Sequence, residues 1–257
     1  MECCFSVRGV EINSGQAKIC VPIMPNNMGE LVKTLDELNP ADFDIVEWRA
    51  DALSGGVAEY SEGLKLTRRR LGESVPIIFT LRTNAEGGGF QGSAEIYTES
   101  LIVVAESGLA DMVDVELSSG GKCVRSVAAA SHKSGTRLIV SHHNFELTYP
   151  LEEILSIYDQ MFDLGADIAK IALMASCFQD CLTALRAAQS ARFCQAGRAL
   201  IMVSMGRHGL TSRVMAQEFG SVITFGSCNA EKPSAPGQIS AHDLRKISYI
   251  LKKYALF

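Results

Sequence analysis

Apolar residues recur along the chain in short runs, and segments with helical spacing separate these runs. The runs with the length and composition of buried strands lie at about 18–24, 44–50, 76–82, 111–117, 136–142, 166–173, 198–204 and 221–226. Between them, apolar positions repeat every three or four residues, as at Leu151, Ile154 and Tyr158, which share one helical face behind Pro150 at a predicted first turn. The pattern predicts eight strands that alternate with eight helices.

Strands that alternate with helices pair in parallel, and eight such units most economically close into a (β/α)8 TIM barrel. An open doubly wound sheet is the alternative, but it needs a glycine-rich loop after the first strand, where residues 25–29 contain one glycine. Residues 3–13 alternate loosely before Asn13-Ser14-Gly15, which predicts a short N-terminal hairpin over about 1–15. Since no linker or shift in composition divides the sequence, we predict a single domain over residues 1–257.

One predicted strand carries a lysine within an otherwise apolar run, Asp167-Ile-Ala-Lys170-Ile-Ala-Leu173. Successive side chains of a strand point to opposite faces, so Lys170 shares its face with Ile168 and Ala172. Strands of parallel sheets are covered on both faces, where an ammonium group without solvent is costly. The lysine is therefore paired or chemically active, or it lies at a strand end with its amine reaching water.

Polar residues also collect at the carboxyl ends of the predicted strands, where barrels of this kind carry their active sites. The set on this rim comprises Glu47, Arg49, Arg82, Asp114, Glu116, a histidine of the pair His142-His143 and Lys170, with Arg213 in the loop after the seventh strand. Each has a structural alternative, such as an ion pair between Glu47 and Arg49, or the two carboxylates Asp114 and Glu116 balancing Arg82. Burial of so many polar groups without a ligand would waste desolvation energy, so we interpret the rim as a functional site.

The rim residues fit Schiff-base chemistry. A lysine amine attacks a carbonyl only when it is neutral, and an ordinary lysine pKa of about 10.4 leaves well under a thousandth in that form at pH 7. We expect burial and the charges of Arg82 and Arg213 to favour the neutral amine of Lys170. Because a protonated imine withdraws electrons from the adjacent carbon more strongly than a ketone does, a weak base such as imidazole can then remove an α-proton.

Composition and charge exclude some classes of function. Hydrophobic residues make up 47% and charged residues 21%, as in a soluble globular protein. A net charge of -5 and a pI near 5.6 argue against a nucleic-acid partner. No apolar run reaches membrane-spanning length, and the start Met1-Glu2-Cys3-Cys4 lacks a signal pattern, so we expect a cytoplasmic protein that does not bind membranes.

Three further motifs have ordinary explanations. The eight cysteines include no Cys-x-x-Cys pair, so we predict no disulfide framework or zinc site, and we interpret Cys177 and Cys181 as core or surface thiols. The string Gly87-Gly-Gly-Phe-Gln-Gly92 matches G-x-G-x-x-G but follows the third strand, and we interpret it as a mobile loop over the barrel mouth. The basic run 65–70 is interpreted as a solvated helix face.

Several ordered segments resemble a known family from Val21 to the C terminus. They are Asp114-Val-Glu-Leu117, Leu138-Ile-Val-Ser-His-His143-Asn144, the Lys170 strand, Met205-Gly206 with Ser212-Arg213, Phe219-Gly-Ser221 with Thr224-Phe225, and Ser234-Ala-Pro-Gly-Gln238. This pattern resembles type I 3-dehydroquinate dehydratase, the Schiff-base lyase of the shikimate pathway. The resemblance implies a hydro-lyase that forms 3-dehydroshikimate without a metal or an external cofactor. We expect a stand-alone enzyme and a homodimer.

The resemblance also implies a role for each site residue. Lys170 forms the imine with the C3 ketone, His143 takes the C2 proton and assists departure of the C1 hydroxyl, and Glu86 orients His143. The binding residues are Arg213 for the carboxylate, Glu47, Arg49 and Arg82 for the ring hydroxyls, Ser234 and Gln238 from a loop that closes over the substrate, and Met205 and Phe225 as apolar walls. The choice of His143 over His142 follows from the match.

Two alternatives stay open on the sequence. A class I Schiff-base aldolase would share the lysine but needs a phosphate site near the last two strands, which Gly206, Gly209 and Gly226 could line. Arg213 with loop 234–238 suits a carboxylate better. A non-catalytic ligand-binding barrel would keep the pocket without turnover, but the presence of a nucleophile, a base and a carboxylate anchor argues against it.

Overall fold

Within the residues that the structure describes, ten strands and eight α-helices follow one another, and from β3 onward strands and helices alternate as the apolar pattern predicts. The computed structural model describes residues 5–13, 15–53, 55–194, 197–228 and 237–254. The strands are β1 (Phe5–Val7), β2 (Val10–Ile12), β3 (Lys18–Ile23), β4 (Ile45–Arg49), β5 (Ile77–Thr80), β6 (Met112–Glu116), β7 (Arg137–Asn144), β8 (Ile168–Met174), β9 (Ala199–Met205) and β10 (Ile223–Phe225). The helices are α1 (Met28–Glu37), α2 (Val57–Leu71), α3 (Ala94–Glu106), α4 (Gly121–Ser134), α5 (Leu151–Asp163), α6 (Phe178–Cys194), α7 (Leu210–Val214) and α8 (Ala241–Tyr254).

Strands β3 to β10 form a parallel barrel that is nearly closed. Neighbours along the sheet follow the order β10-β3-β4-β5-β6-β7-β8-β9. The two end strands meet through a bridge between Leu200 and Ser221, beside which the backbone N–H of Val222 donates to the Leu200 carbonyl at 2.9 Å. The predicted (β/α)8 barrel is confirmed. Across the described part of the chain, no helix is long and apolar enough to cross a membrane.

Along the five neighbouring strands β4 to β8, the barrel interior changes from apolar to polar within two residues. A buried apolar cluster fills its lower part with Ile45, Ile78, Met112, Ile139 and Ile168, one from each of five neighbouring strands. Two residues further on, about 6.6 Å along each strand, the residues on the same face are Glu47, Thr80, Asp114, Ser141 and Lys170, all buried. The polar layer therefore rests directly on an apolar floor.

The outward faces of the strands pack under the helices. Trp48 is fully buried beneath α2, where Gly63 faces its ring. A Cβ at Gly63 would lie 2.1 Å from Trp48 Cη2, so only glycine allows the helix to lie this close to the sheet. The close fit holds β4, and with it Glu47 and Arg49, against the helical layer.

The N-terminal hairpin, β1 and β2, closes the lower end of the barrel. Its two turn residues, Arg8 and Gly9, have positive φ values of 50° and 81°, as a tight antiparallel hairpin requires. Ile12 is fully buried in the interior cluster. Arg8 Nε lies 2.6 Å from an oxygen of Asp111, directly before β6, and Arg137 stacks over the Phe5 ring at 4.6 Å. The predicted hairpin is confirmed, and the structure adds that it caps the barrel.

The basic run 65–70 in α2 is only partly a solvated face. Lys65, Arg69 and Arg70 are exposed, but Arg68 is buried. Its NH2 lies 2.5 Å from Asp111 Oδ2, and its NH1 donates to a backbone carbonyl at 2.7 Å. The interpretation is therefore wrong for Arg68, which fixes the C-terminal end of α2 to the lower rim of the barrel.

Candidate active site

A pocket opens at the carboxyl ends of the barrel strands and reaches down to Lys170. The empty space in it, including open solvent at the mouth, is about 630 Å³. It is lined by Glu47, Arg49, Arg82, Glu86, Gly87, His143, Phe145, Lys170, Ala172, Val203, Met205, Arg213, Phe225 and Gln238. The pocket brings together ten of the eleven residues to which the resemblance gives a catalytic or binding role, and the eleventh, Ser234, lies outside the described residues. Asp114 and Glu116, which were also predicted for the rim, are not among the lining residues but both bind Arg82.

Lys170 projects from β8 into the floor of the pocket. Its side chain is 7% exposed, and Nζ donates to Glu47 Oε1 and Asp114 Oδ2, each at 3.2 Å. Nζ also lies 4.6 Å from the centre of the Phe225 ring. The alternative in which the amine reaches water from a strand end is therefore wrong, because the amine is enclosed by two carboxylates and an aromatic ring.

Arg82, two residues beyond β5, binds both carboxylates of β6. Its NH1 lies 3.1 Å from Glu116 Oε1, and its NH2 lies 2.9 Å from Asp114 Oδ1, which also accepts from the Ser141 hydroxyl at 2.6 Å. Burial alone would raise the pKa of Asp114, but the charges of Arg82 and Lys170 outweigh it and lower this pKa below its ordinary value. Asp114 therefore stays ionised. It lies between Arg82 and Lys170, whereas from the sequence we expected the charge of Arg82 to act on Lys170 directly.

His143 and Glu86 form a buried pair at the side of the pocket. Glu86 ends the 3₁₀ turn Asn84–Glu86 that follows β5, and its Oε2 lies 2.9 Å from His143 Nδ1 and accepts from the His143 backbone N–H at 3.1 Å. The Ser118 hydroxyl donates to the other carboxylate oxygen at 2.5 Å. A carboxylate at Nδ1 assigns the ring hydrogen to that nitrogen, which leaves the lone pair on Nε2.

The electrostatic surroundings of this pair favour a neutral imidazole. Burial, followed by the charges of Arg82 and Lys170, holds the pKa of His143 well below its ordinary value. Burial and the nearby carboxylate of Glu116 raise the pKa of Glu86 to about 7. At neutral pH the imidazole therefore lacks the extra proton and can accept one from a bound molecule.

His142, the preceding residue on β7, mainly contacts Tyr149, although its Nδ1 also lies 3.8 Å from Glu86 Oε1. Its Nε2 lies 3.1 Å from the Tyr149 hydroxyl, and the two rings stack with their centres 5.7 Å apart. Asn144 donates to the same hydroxyl at 2.8 Å. Since successive residues of a strand face opposite ways, the strand places His143 in the pocket lining and His142 behind it.

The opposite wall comes from β9, β10 and α7. Arg213 is buried, and its NH1 lies 3.5 Å from the carbonyl oxygen of Phe225. Burial lowers the pKa of Arg213 to about 10, so the guanidinium remains charged at neutral pH. Met205 and Phe225 add apolar surface, and Gln238 is half-buried at the pocket. A fixed cation beside apolar walls is suited to the carboxylate of a small molecule.

Glu47 and Arg49 have different partners from the ones that the sequence suggested. Arg49 Nε and NH2 donate to the two oxygens of Asp51 at 2.7 and 2.9 Å, whereas Glu47 accepts from Lys170 and from the Thr80 hydroxyl at 2.8 Å. The alternative of an ion pair between Glu47 and Arg49 is therefore wrong. Sequence reasoning missed Asp51, because it lies in the turn Ala50–Ala52 after β4, where strand alternation no longer applies.

The glycine-rich string lies at the barrel mouth, with Gly87 in the pocket lining. A Cβ at Gly88 would lie 2.2 Å from the Arg82 carbonyl oxygen, and one at Gly89 would lie 2.6 Å from the Asp51 carbonyl oxygen. The glycines therefore permit close backbone packing at the rim; the mobility expected for this loop stays a prediction. Among the described residues, no group of three or more His, Cys, Asp or Glu side chains is arranged to hold a metal ion.

Comparison with known proteins gives the same family from sequence and from structure. The family model for type I 3-dehydroquinase matches residues 19–255. The chain is 41% identical over 244 residues to 3-dehydroquinate dehydratase of Neisseria meningitidis serogroup A, covering 94% of each protein. It is 37% identical over 249 residues to the protein of that name from Clostridioides difficile, covering 96% of each.

The fold also matches a solved structure along its whole length. A crystal structure of type I 3-dehydroquinate dehydratase from Clostridium difficile, with covalently modified comenic acid, superposes with a TM-score of 0.94 at 36% identity. The match covers 98% of this chain and 99% of the other. From the first barrel strand to the last helix, this chain therefore belongs to the type I 3-dehydroquinase family.

Proposed function

We propose that this chain dehydrates 3-dehydroquinate to 3-dehydroshikimate, a step of the shikimate pathway, through an imine on Lys170. The observation that carries the proposal is the position of Lys170 Nζ, on the floor of a pocket that also holds a neutral imidazole and a buried guanidinium. Membership of the type I family and the name of its relatives support the same reaction.

Lys170 is the proposed nucleophile. Its neutral amine attacks the C3 carbonyl, and loss of water gives a protonated imine, which draws electron density away from C2. Glu47 and Asp114, both 3.2 Å from Nζ, hold the nitrogen on the pocket floor and are placed to exchange protons with it. Hydrolysis of the imine at the end of the cycle returns that water and frees the amine.

His143 is the proposed acid-base residue. Its Nε2 takes the proton from C2, the electron pair moves toward the iminium nitrogen, and the resulting enamine expels the C1 hydroxyl, which leaves as water with that proton. Glu86, 2.9 Å from Nδ1, keeps the ring in the tautomer that this step needs. The depressed pKa of His143 supports its role as a base at neutral pH.

The remaining pocket residues are proposed to hold the substrate. Arg213 grips the carboxylate, since a guanidinium offers two parallel donors to the two oxygens. Glu47, Arg49 and Arg82 bind the ring hydroxyls, and Met205 and Phe225 contact the apolar face of the ring. The residues proposed to close the site are Ser234, which lies outside the described residues, and Gln238.

Borohydride trapping tests the reaction and the nucleophile together. Incubation with 3-dehydroquinate and borohydride should add the mass of a reduced adduct to the peptide that contains Lys170, and untreated enzyme should generate enone absorbance. Turnover without an adduct, or an adduct on another lysine, would contradict the proposal. Binding without enone absorbance would favour a ligand-binding barrel, and carbon–carbon cleavage of a phosphorylated substrate would favour an aldolase.

We further propose that the enzyme works in the cytoplasm as a homodimer. Exposed apolar side chains support self-association: Phe178 and Leu182, one turn apart on α6, are 53% and 43% exposed. Sedimentation equilibrium should give twice the chain mass of 27.8 kDa. A single-chain mass at micromolar concentration would refute the dimer without affecting the proposed chemistry.

A further inference from the structure

The Asp51 carboxylate accepts hydrogen bonds from residues well outside its own turn. It lies in the 3₁₀ turn Ala50–Ala52 after β4, and its side chain is 1% exposed. Its two oxygens accept from Arg49 Nε at 2.7 Å and Arg49 NH2 at 2.9 Å. They also accept from the backbone N–H groups of Arg82 at 3.2 Å and Gly89 at 3.0 Å.

These four donors belong to three separate parts of the pocket rim. Arg49 ends β4, Arg82 follows β5, and Gly89 belongs to the glycine-rich loop at the mouth. The close backbone approach at Gly89, where a Cβ would lie 2.6 Å from the Asp51 carbonyl oxygen, brings the loop to the same point. One carboxylate thus fixes the fork of Arg49 and ties it to the loop beside Gly87, which lines the pocket.

The charge of Asp51 suits this role. Burial alone would raise the pKa of Asp51, but Arg49 and the two backbone donors outweigh it and lower this pKa. The carboxylate is therefore ionised throughout the neutral range. A planar carboxylate with both oxygens on Nε and NH2 leaves a guanidinium one orientation, because the two hydrogen bonds are parallel. Arg49 is also among the residues that line the pocket.

We propose that Asp51 is a positioning residue for substrate binding. It orients the Arg49 guanidinium toward the substrate, and it holds the glycine-rich loop in place beside Arg49. The inference rests on the proposed function, since it assumes that Arg49 binds a substrate hydroxyl. Asp51 touches neither Lys170 nor His143 through any of its four bonds, so it acts on binding and leaves the covalent steps to other residues.

The substitution Asp51→Asn tests this with little change in shape. Each oxygen of Asp51 accepts one bond from Arg49 and one from a backbone N–H. An amide replaces one oxygen by a donor group, so it breaks one of the two bonds to Arg49 together with one of the two backbone contacts. Because hydrogen bonds to charged groups contribute about 1.5–3 kcal/mol, KM should rise about 10- to 100-fold. The value of kcat should change less than about threefold, because the lost contact binds the substrate and the transition state equally.

A double-mutant cycle with Arg49→Met separates positioning from general support of the fold. If Asp51 acts through Arg49, Asp51→Asn should change KM by less than about twofold once Arg49 is replaced. An equal rise in KM in both backgrounds would overturn the proposal, and so would a folded Asp51→Asn variant whose KM stays within about twofold of the wild type.

Asp111→Asn is a matched control. Asp111 is also a carboxylate that binds two arginines, Arg8 and Arg68, and a backbone N–H, that of Ile77, but it lies at the opposite end of the barrel. Its substitution should lower the melting temperature and leave KM unchanged. A KM increase equal to that of Asp51→Asn would show that loss of any buried carboxylate weakens binding, against the proposal.

Two measurements keep the result interpretable. If Asp51→Asn does not fold, as judged by circular dichroism, Asp51→Glu retains the charge but shifts it by one methylene, and the same cycle applies with the same expected dependence on Arg49. Borohydride trapping is run in parallel. Wild-type protein without an adduct would overturn the proposed function, whereas normal trapping with an unchanged variant KM would overturn only the role of Asp51.

Discussion

The two ends of the barrel are built from the same strands, but one is filled by apolar side chains and the other by paired charges. At the lower end, Ile78, Ile139 and their neighbours fill the interior, and the N-terminal hairpin covers it. At the upper end, Lys170 and Asp114 occupy the same interior faces and are as deeply buried. The lower end needs only volume and hydrophobicity. The upper end needs a specific partner for each charge, since a buried ion without one is costly.

This difference teaches where a substitution should affect stability and where it should affect chemistry. An apolar side chain below the polar layer contributes to the free energy of unfolding through burial and packing. A charged side chain above it contributes little net stability, because desolvation offsets the attraction between partners. Variants at matched depth should therefore separate the two properties.

Removal of the amine should have the largest effect on rate. Lys170→Ala should abolish the borohydride adduct and lower kcat by about three orders of magnitude or more, because the covalent route is lost. Lys18→Ala is the matched control, since Lys18 begins β3 at the lower end, and it should keep kcat within about twofold. Retention of a tenth of the wild-type activity by Lys170→Ala would refute the assignment of the nucleophile.

Removal of the imidazole should have the next largest effect. His143→Ala should still form an imine but lower kcat about 10²- to 10⁴-fold, the usual loss for a general acid-base group. Rapid-quench trapping should show that the adduct accumulates. His142→Ala, one residue earlier on β7, should reduce kcat less than about tenfold. If His142→Ala lowered kcat more than His143→Ala does, the assignment of His143 as the base would be wrong.

Protonation of Glu86 should have a smaller effect, seen in the pH dependence. With a pKa of about 7, Glu86 loses its negative charge as pH falls below neutrality, and kcat should fall about fivefold between pH 7 and pH 6. Glu86→Gln should lack this acidic limb, whereas the exposed Glu152→Gln should retain it. An unchanged limb in Glu86→Gln would assign the ionisation to another group.

Protonation of Glu86 should lower kcat but raise the free energy of unfolding. The folded-state pKa of Glu86 lies above its ordinary value of 4.5, so the folded protein takes up this proton at a higher pH than the unfolded chain does. The contribution of Glu86 to the free energy of unfolding should therefore grow as pH falls from about 7 toward 4.5, and be lost as pH rises. Urea unfolding of wild type and Glu86→Gln across this range measures it.

A substitution at the lower end of the barrel should have the smallest effect on kcat. Ile139→Ala removes a fully buried side chain two residues below Ser141 and should lower the free energy of unfolding by about 2–5 kcal/mol. The kcat of the folded variant should stay within about twofold. A large loss of kcat without a loss of stability would show that the apolar floor takes part in positioning Lys170.

The sequence predicted the barrel and the faces of its strands because both depend on local periodicity. Alternation along β4 and β6 is enough to put Glu47 on one face with Arg49, and Asp114 on one face with Glu116. The resemblance to a family then selected His143 and Glu86, which periodicity alone does not distinguish from their neighbours. The structure brings these residues to one pocket, and their catalytic and binding roles stay predictions.

Partners were harder to predict than positions, because they depend on residues distant in the chain. Alternation indicates which face Arg49 occupies, but not that the chain turns after β4 so that Asp51 reaches its guanidinium. A helical pattern places Arg68 in a basic run, but its burial depends on Asp111, which is 43 residues away. The pairing of charges is therefore a property of the closed barrel.

The two hydrogen bonds of Lys170 Nζ limit what the pocket floor can look like during a reaction. The amine of Lys170 donates one hydrogen to Glu47 and one to Asp114. A protonated imine carries one. Carbon–nitrogen bond formation must therefore release one of the two carboxylates from the lysine, while Thr80 still donates to Glu47. Attachment of a substrate thus creates a vacant acceptor beneath it, within reach of the hydroxyl groups that the substrate itself brings.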